Sequence, residues 1–270
     1  MTNGPVEAPG PAGRIREERR AERARAQQKW DESAGIYDQI VGLGLISPRE
    51  WSAWAHLFRR LLGPERHKRV LDIGTGTGFL ALLLAELGHE VTAIDISERM
   101  LTLAERKAAE AGLTITFLEG DAYEPGLGGT TFDAVVSRHV LWTLLEPERA
   151  VRAWMALTAP RGQVVAVDGF FSDTTMVDRV ARLLGNCLYA ARTKRWPSLP
   201  PPNPNLPLRR ARTLAPIHNI FERAGLRDVR TEMLETIDQV ERAAMTVEQR
   251  LRYRWRHYLA EGTIPGRAVP

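Results

Sequence analysis

Val70-Leu71-Asp72-Ile73-Gly74-Thr75-Gly76-Thr77-Gly78-Phe79-Leu80 opens apolar, turns on three glycines and becomes apolar again. It reads as a strand, a tight turn and the start of a helix. The next apolar run, Glu90-Val91-Thr92-Ala93-Ile94-Asp95, reads as a strand that ends in an acid. A unit of this kind suits an adenine-containing cofactor. Glycine lets the backbone bend sharply and pass close to a ligand because it has no Cβ. The acid that ends the second strand stands where two ribose hydroxyls would be held.

The spacing narrows the choice of cofactor. A dinucleotide fingerprint, G-x-G-x-x-G, needs glycine or alanine at 79, and Phe79 stands there instead. Its bulk would hinder close packing of helix on strand. Asp72, two residues before the first glycine, would repel a pyrophosphate but suits the cationic amino-acid end of S-adenosyl-L-methionine.

Further stretches follow in order. Ala93-Ile94-Asp95-Ile96-Ser97 with Met100, Glu119-Gly120-Asp121-Ala122, Phe132-Asp133-Ala134-Val135-Val136-Ser137-Arg138 and Leu157-Thr158-Ala159-Pro160-Arg161-Gly162-Gln163 accompany the glycine turn. Together they resemble the class I, Rossmann-like S-adenosylmethionine-dependent methyltransferases, small-molecule branch, over about residues 30–170 and more loosely beyond. The resemblance implies a doubly wound α/β fold with a mostly parallel seven-stranded sheet, order 3-2-1-4-5-7-6, and a last strand running antiparallel. It implies S-adenosyl-L-methionine as cofactor and S-adenosyl-L-homocysteine as product. Asp72, Gly74, Thr75, Gly76 and Gly78 would cradle the amino-acid end. Asp95 would hold the ribose, Ile96 would line the adenine, and Asp121 with Ala122 would meet the adenine amino group. Met100 would pack nearby or in the core. Ser137 and Arg138 would approach through their backbone, and Tyr37 would fold over the cofactor as a lid. Two departures stand out: Arg161 where the family often has glycine, and Tyr123-Glu124-Pro125-Gly126-Leu127-Gly128-Gly129 where many relatives read Leu-Pro-Phe.

The 270 residues suffice for one domain with a cap. We expect a disordered segment over 1–13, a helical segment over 14–66, a cofactor-binding core over 67–170 and 212–265, and an acceptor-binding insertion over 171–211. Residues 14–29 mix both charge signs at helical spacing, as a solvated helix does. Pro48 opens a helix whose Trp51, Trp54, Leu57, Phe58, Leu61 and Leu62 make a face for the sheet. Strands are expected near 69–73, 90–95, 114–119, 131–137, 163–169, 228–235 and within 253–263. Helices are expected near 78–88, 97–112, 146–158 and 212–224.

No apolar run approaches the ~20 residues that span a bilayer, and the first thirteen residues lack the apolar core of a signal peptide. Cys187, the single cysteine, excludes an intrachain disulfide, fits a reducing cytoplasm and is expected to pack as a small hydrophobe. No metal-ligand spacing is present. The net charge of +4 is too small to indicate nucleic acid. Its distribution is uneven: from Arg179 to Phe221 there are eight basic residues and no acid. That suits an anionic acceptor, a solvated face, a dimer contact or a polyanion, with Arg209 and Arg210 as candidate acceptor contacts.

His139, directly after the fourth strand, is the candidate general base, packing being the other reading. His218 is a second acceptor-side candidate. The function expected is transfer of a methyl group to a small organic acceptor, anionic if the basic insertion binds it, on O, N or C. Methylation of a protein or RNA, and a non-catalytic cofactor-binding protein, are the alternatives. The partners expected are that acceptor alone, with no membrane and no nucleic acid, in a cytoplasmic monomer or homodimer.

Overall fold

The computed structural model describes residues 11–38, 47–171, 175–194, 203, 205–253 and 255–266. Most of the expected disordered segment, and much of the proline-rich half of the insertion, lie outside the described residues.

The mixed-charge stretch 14–29 lies within one longer helix, α1 (Pro11–Tyr37), so residues 11–13 of the expected disordered segment are helical. Ser47 caps α2 (Pro48–Leu62) by accepting from the Glu50 amide. The chain then runs β1 (Arg69–Ile73), α3 (Phe79–Glu86), β2 (Glu90–Asp95), α4 (Glu98–Glu110), β3 (Thr116–Glu119), β4 (Phe132–Arg138), α5 (Pro147–Ala156), β5 (Thr158–Phe171), α6 (Met176–Thr193), α7 (Ala215–Ala224), β6 (Arg227–Met233), α8 (Glu235–Ala244), α9 (Val247–Arg252) and β7 (Trp255–Thr263). Among the described residues the strands form one sheet in the order β3-β2-β1-β4-β5-β7-β6. β7 runs antiparallel to β5 and β6, and the remaining pairs are parallel. This is the architecture the resemblance implied.

Two apolar layers cover the sheet. Trp54, Phe58, Leu80, Leu83 and Ile237 close one face from α2, α3 and α8. Trp154, Ile217 and Phe221 close the other from α5 and α7. The 3–4 spacing read in α2 is thus met by burial: Trp54 and Phe58 are fully enclosed.

Three differences from the sequence reading have local causes. β5 begins at Thr158, not near 163, because its first residues pair with β4 before an irregularity in register between Phe132 and Ala134. Arg161 sits in that excursion at φ 65°, a left-handed conformation that suits glycine better. The strand expected over 228–235 stops at Met233, because Leu234 is the N-cap of α8; most of α8 and all of α9 lie in a stretch that carried no assignment. Cys187 is exposed, not packed, because the face of α6 that carries it meets nothing among the described residues.

Candidate active site

The glycine turn joins β1 to α3 at the C-terminal end of the sheet. Gly74 and Thr75 both donate backbone N–H to the Ile94 carbonyl, at 2.8 and 2.9 Å, which pins the turn to β2. All three glycines have positive φ. A Cβ at Gly74 would collide with Val140, and one at Gly78 would come within 2.9 Å of Ala104, so close approach as well as the turn requires glycine. Phe79 starts α3 and packs edge-on against Trp51 and Trp54, each at 5.7 Å between ring centres. The side chain that argued against a dinucleotide site is a core anchor.

Asp72 is buried beneath this turn, and neither carboxylate oxygen makes a hydrogen bond. Burial drives its carboxyl up to about 7. The nearby Thr75 hydroxyl and Arg138 oppose that rise, and Asp95 adds to it. The Thr75 and Ser137 hydroxyls are also buried without hydrogen-bond partners. A buried carboxylate and two hydroxyls facing a glycine turn fit a ligand that brings an ammonium group.

Asp95 ends β2 as expected. It accepts from the Gly76 amide at 2.8 Å and from the Ser97 amide at 2.9 Å. Burial raises its carboxyl to about 6 against those two bonds. Each oxygen keeps acceptor capacity for a hydroxyl. Ile96 is half-buried beside it, and Met100 is buried in the first turn of α4, capped by Ser97. Ala122 turns its carbonyl to the Trp154 indole at 2.9 Å. Asp121 holds the Tyr123 amide at 2.8 Å.

α1 runs along these strand ends. Arg23 pairs with Glu119 at 3.2 Å and lies 3.9 Å from Asp121. Asp31 accepts from the Ser97 hydroxyl. Asp38 accepts from the Thr77 hydroxyl and pairs with Lys107 at 2.6 Å. Tyr37 covers Gly76, its ring 3.5 Å from where a Cβ would stand. Together with Asp72, Gly74, Thr75, Thr77, Phe79, Leu80 and Arg138 it lines a cavity. Loss of water pushes its phenol up to about 12, against the pull of Arg138.

Arg138 contributes more than backbone. Its guanidinium is buried over the rings of Phe79 and Trp54, at 4.2 and 4.8 Å. Burial lowers its affinity for the proton, and Glu241, Tyr37, Glu50 and Asp72 counter this. His139 follows at φ 60°, buried, with Nδ1 3.6 Å from Asp168 Oδ1 and its ring centre 5.3 Å from that of His257. Asp168 accepts from the Trp142 and Gly169 amides at 2.9 and 2.8 Å, and burial raises its carboxyl to about 7. His257 in turn bonds Asp238 at 2.8 Å.

The structure therefore brings Tyr37, Asp72, the glycine turn, Asp95, Ser137, Arg138 and His139 to one end of the sheet. Arg209 and Arg210 close a short 3-10 turn (Pro207–Arg210) that packs on another (Leu141–Thr143), just past His139. His218 is not brought there: it lies on α7, 3.4 Å from Glu222, in a cleft with Arg60, Arg230 and Glu232 near the β6 edge. Sequence reasoning missed Asp168, Glu50, Glu241 and His257. Asp168 carried a signal, as the only acid in the apolar run Val164-Val165-Ala166-Val167-Asp168. Among the described residues no cluster of metal-ligating side chains is present, and no helix is long and apolar enough to cross a membrane.

A methyltransferase-domain family profile matches residues 71–166. A phosphatidylethanolamine N-methyltransferase of Cereibacter sphaeroides is 34% identical over 163 residues, covering 60% of this chain and 74% of the relative. A demethylmenaquinone methyltransferase of Thermus thermophilus is 39% identical over 103 residues, covering 37% of this chain; the chain spans about half the length of that relative, 47%. The structure of phosphoethanolamine N-methyltransferase 2 of Haemonchus contortus with S-adenosyl-L-methionine shares the fold at TM-score 0.61 and 19% identity, over 87% of this chain and 57% of that one. With the glycine turn, Asp72 and Asp95 in place on this sheet, the chain belongs to the class I S-adenosylmethionine-dependent methyltransferases.

Proposed function

We propose that this chain transfers a methyl group from S-adenosyl-L-methionine to a small organic acceptor, leaving S-adenosyl-L-homocysteine. The observation that carries this reading is Asp72: a buried acid with no well-formed hydrogen bond, beside a glycine turn, which a plain packed core has no use for. The cofactor supplies an already activated methyl on a sulfonium. The protein's work is then to bind, align and exclude water. Asp72 with the turn would hold the amino-acid end. Asp95 would accept from the ribose hydroxyls, Asp121 would meet the adenine beside Ile96 and Ala122, and Tyr37 would cover the site from α1.

On the acceptor side His139 is the candidate base. Asp168 Oδ1 lies 3.6 Å from its Nδ1 and, once ionised, would favour the tautomer protonated there, leaving Nε2 to take a proton from the acceptor. Arg209 and Arg210 would draw an anionic acceptor, with the segment 171–211 as the acceptor-binding element. The named activities of relatives, on phosphatidylethanolamine and demethylmenaquinone, make an amphiphilic acceptor the first class to try. The experiment is incubation of the purified chain with methyl-labelled S-adenosyl-L-methionine and host extract, then separation into small-molecule, protein and nucleic-acid fractions. Label in the small-molecule fraction is the expected result. Label in protein or RNA would replace the reading with macromolecular methylation.

A further inference from the structure

The large apolar side chains exposed on the described chain are concentrated in one place. Met176, Val177, Val180, Leu183, Leu184 and Leu188 all stand on α6, between 48% and 72% exposed. Val247, at the start of the adjoining α9, is 69% exposed, and of this class Leu118 alone lies elsewhere. At 100° per residue the six positions, with Cys187 and Ala191, fall within an arc of roughly 140°. Just beyond the Leu188 edge of that arc, Ala181 and Gly185 are buried on the side that packs against α9. A Cβ on Gly185 would meet the Arg252 side chain at 2.7 Å. α6 thus buries its small residues and exposes its large ones, the reverse of a helix packed for stability.

Charge narrows what covers that arc. Arg179 borders it on one side and Arg192, paired with Glu248 at 3.0 Å, on the other; Lys194 follows at the C-cap. The only acid in α6 is Asp178, buried in the N-terminal capping box with Thr175. A second copy laid on this face would bring no acid from α6 to meet Arg179 or Lys194. With Arg192 offset by Glu248, the cations that an anionic surface would meet are Arg179 and Lys194. An apolar arc between basic borders is the pattern of a helix that lies in the plane of lipid headgroups.

We propose that α6, with Val247 beside it, docks this chain on an anionic bilayer surface. The helix axis lies in the headgroup plane, the valine, leucine and methionine side chains enter the acyl boundary, and Arg179 and Lys194 meet lipid phosphates. The membrane-free state expected from the sequence rested on the lack of a spanning run, and α6 lies on the surface without spanning it. α6 follows in sequence β5, whose C-terminal end carries the candidate acceptor side. Docking itself does not depend on the methyl-transfer reading and is tested without it.

The test is co-sedimentation of the full chain with vesicles of phosphatidylcholine alone and of phosphatidylcholine mixed with phosphatidylglycerol, at low and high salt. Binding to the anionic vesicles, weakened by salt, is expected. The double change Val180→Asp with Leu184→Asp should lower the partition coefficient by at least about tenfold. Circular dichroism checks that this variant is folded; should it unfold, Arg179→Glu gives the same reading without touching the apolar arc. No binding to anionic vesicles at low salt overturns the proposal, as does binding that neither variant alters. A dimer that the apolar-arc variant splits in sedimentation velocity also overturns it, and gives the face to a second copy.

Discussion

Two regions of this molecule depart from the same rule in opposite directions. Under the glycine turn, where apolar groups belong, Asp72, Asp95, Asp168 and Arg138 are buried. On α6, where polar groups belong, valines and leucines are between 48% and 67% exposed. α2 lies between these extremes: it is as amphipathic as α6, yet it buries its apolar face completely at Trp54 and Phe58. The contrast teaches that amphipathic spacing announces a face that needs cover without naming the cover. It teaches equally that a site is marked by groups placed where stability alone would not put them.

The largest effect should come from the region that obeys the rule. Trp54→Ala removes a fully buried ring from the α2 layer and should cost ~3–5 kcal/mol in denaturant unfolding. It also leaves Arg138 without one of its two aromatic faces.

Asp72→Asn reverses the departure inside. It should lower affinity for S-adenosyl-L-methionine by ~100-fold in calorimetry, about 2–3 kcal/mol, by removing a charge-assisted bond. The same change should stabilise the ligand-free chain by ~2 kcal/mol above neutral pH, because an uncompensated buried carboxylate is costly.

The pH dependence follows from the raised carboxyls. The folded chain keeps protons on Asp72 and Asp168 up to about 7 and on Asp95 up to about 6, whereas the ordinary carboxyl value is 3.8. The folded state therefore binds more protons over that window. These three groups should make the ligand-free chain less stable as pH climbs from about 4 to about 7. A cation bound at Asp72 requires the ionised form, so cofactor affinity should rise over the same range, with uptake of the ligand releasing a proton. Calorimetry in buffers of different ionisation heat measures that release, and Asp72→Asn should flatten the affinity profile.

Arg161→Gly relaxes a left-handed backbone and should add ~1 kcal/mol, seen as a rise of a few degrees in Tm. The smallest effect is expected on the outside: Leu184→Gln should leave the unfolding free energy within ~0.5 kcal/mol of the parent, because the side chain it replaces is already about half in water. A large loss there would show that α6 has a partner within the chain.

The positions of the core strands along the chain were legible because glycine turns, β-branched runs and strand-end acids are local signals, whereas their order in the sheet came only from the resemblance. Asp72, Asp95 and the helix at Pro48 were read from a few neighbouring residues each. The interior cluster around Arg138 was not legible, since Glu50, Asp168, Glu241 and His257 come from four separate elements that only the fold brings near one another. α8 escaped for another reason: in the stretch 235–244 only Ile237 and Glu241 are buried, so its apolar stripe is too thin to declare a helix. Cys187 shows the limit most plainly, because an apolar helical stretch says nothing about which side faces water.

The sheet order carries a consequence for how the chain is made. β7, the last strand in sequence, lies inside the sheet between β5 and β6. During synthesis β1 to β5 emerge first and can assemble as a parallel half-sheet. The edge of β5 then stays unpaired until α6 through α9 and finally Trp255–Thr263 have left the ribosome. Throughout that interval a long, apolar strand edge is open to other nascent chains. Slow translation over the insertion would lengthen this exposure, so crowded expression should yield aggregates that pair through β5.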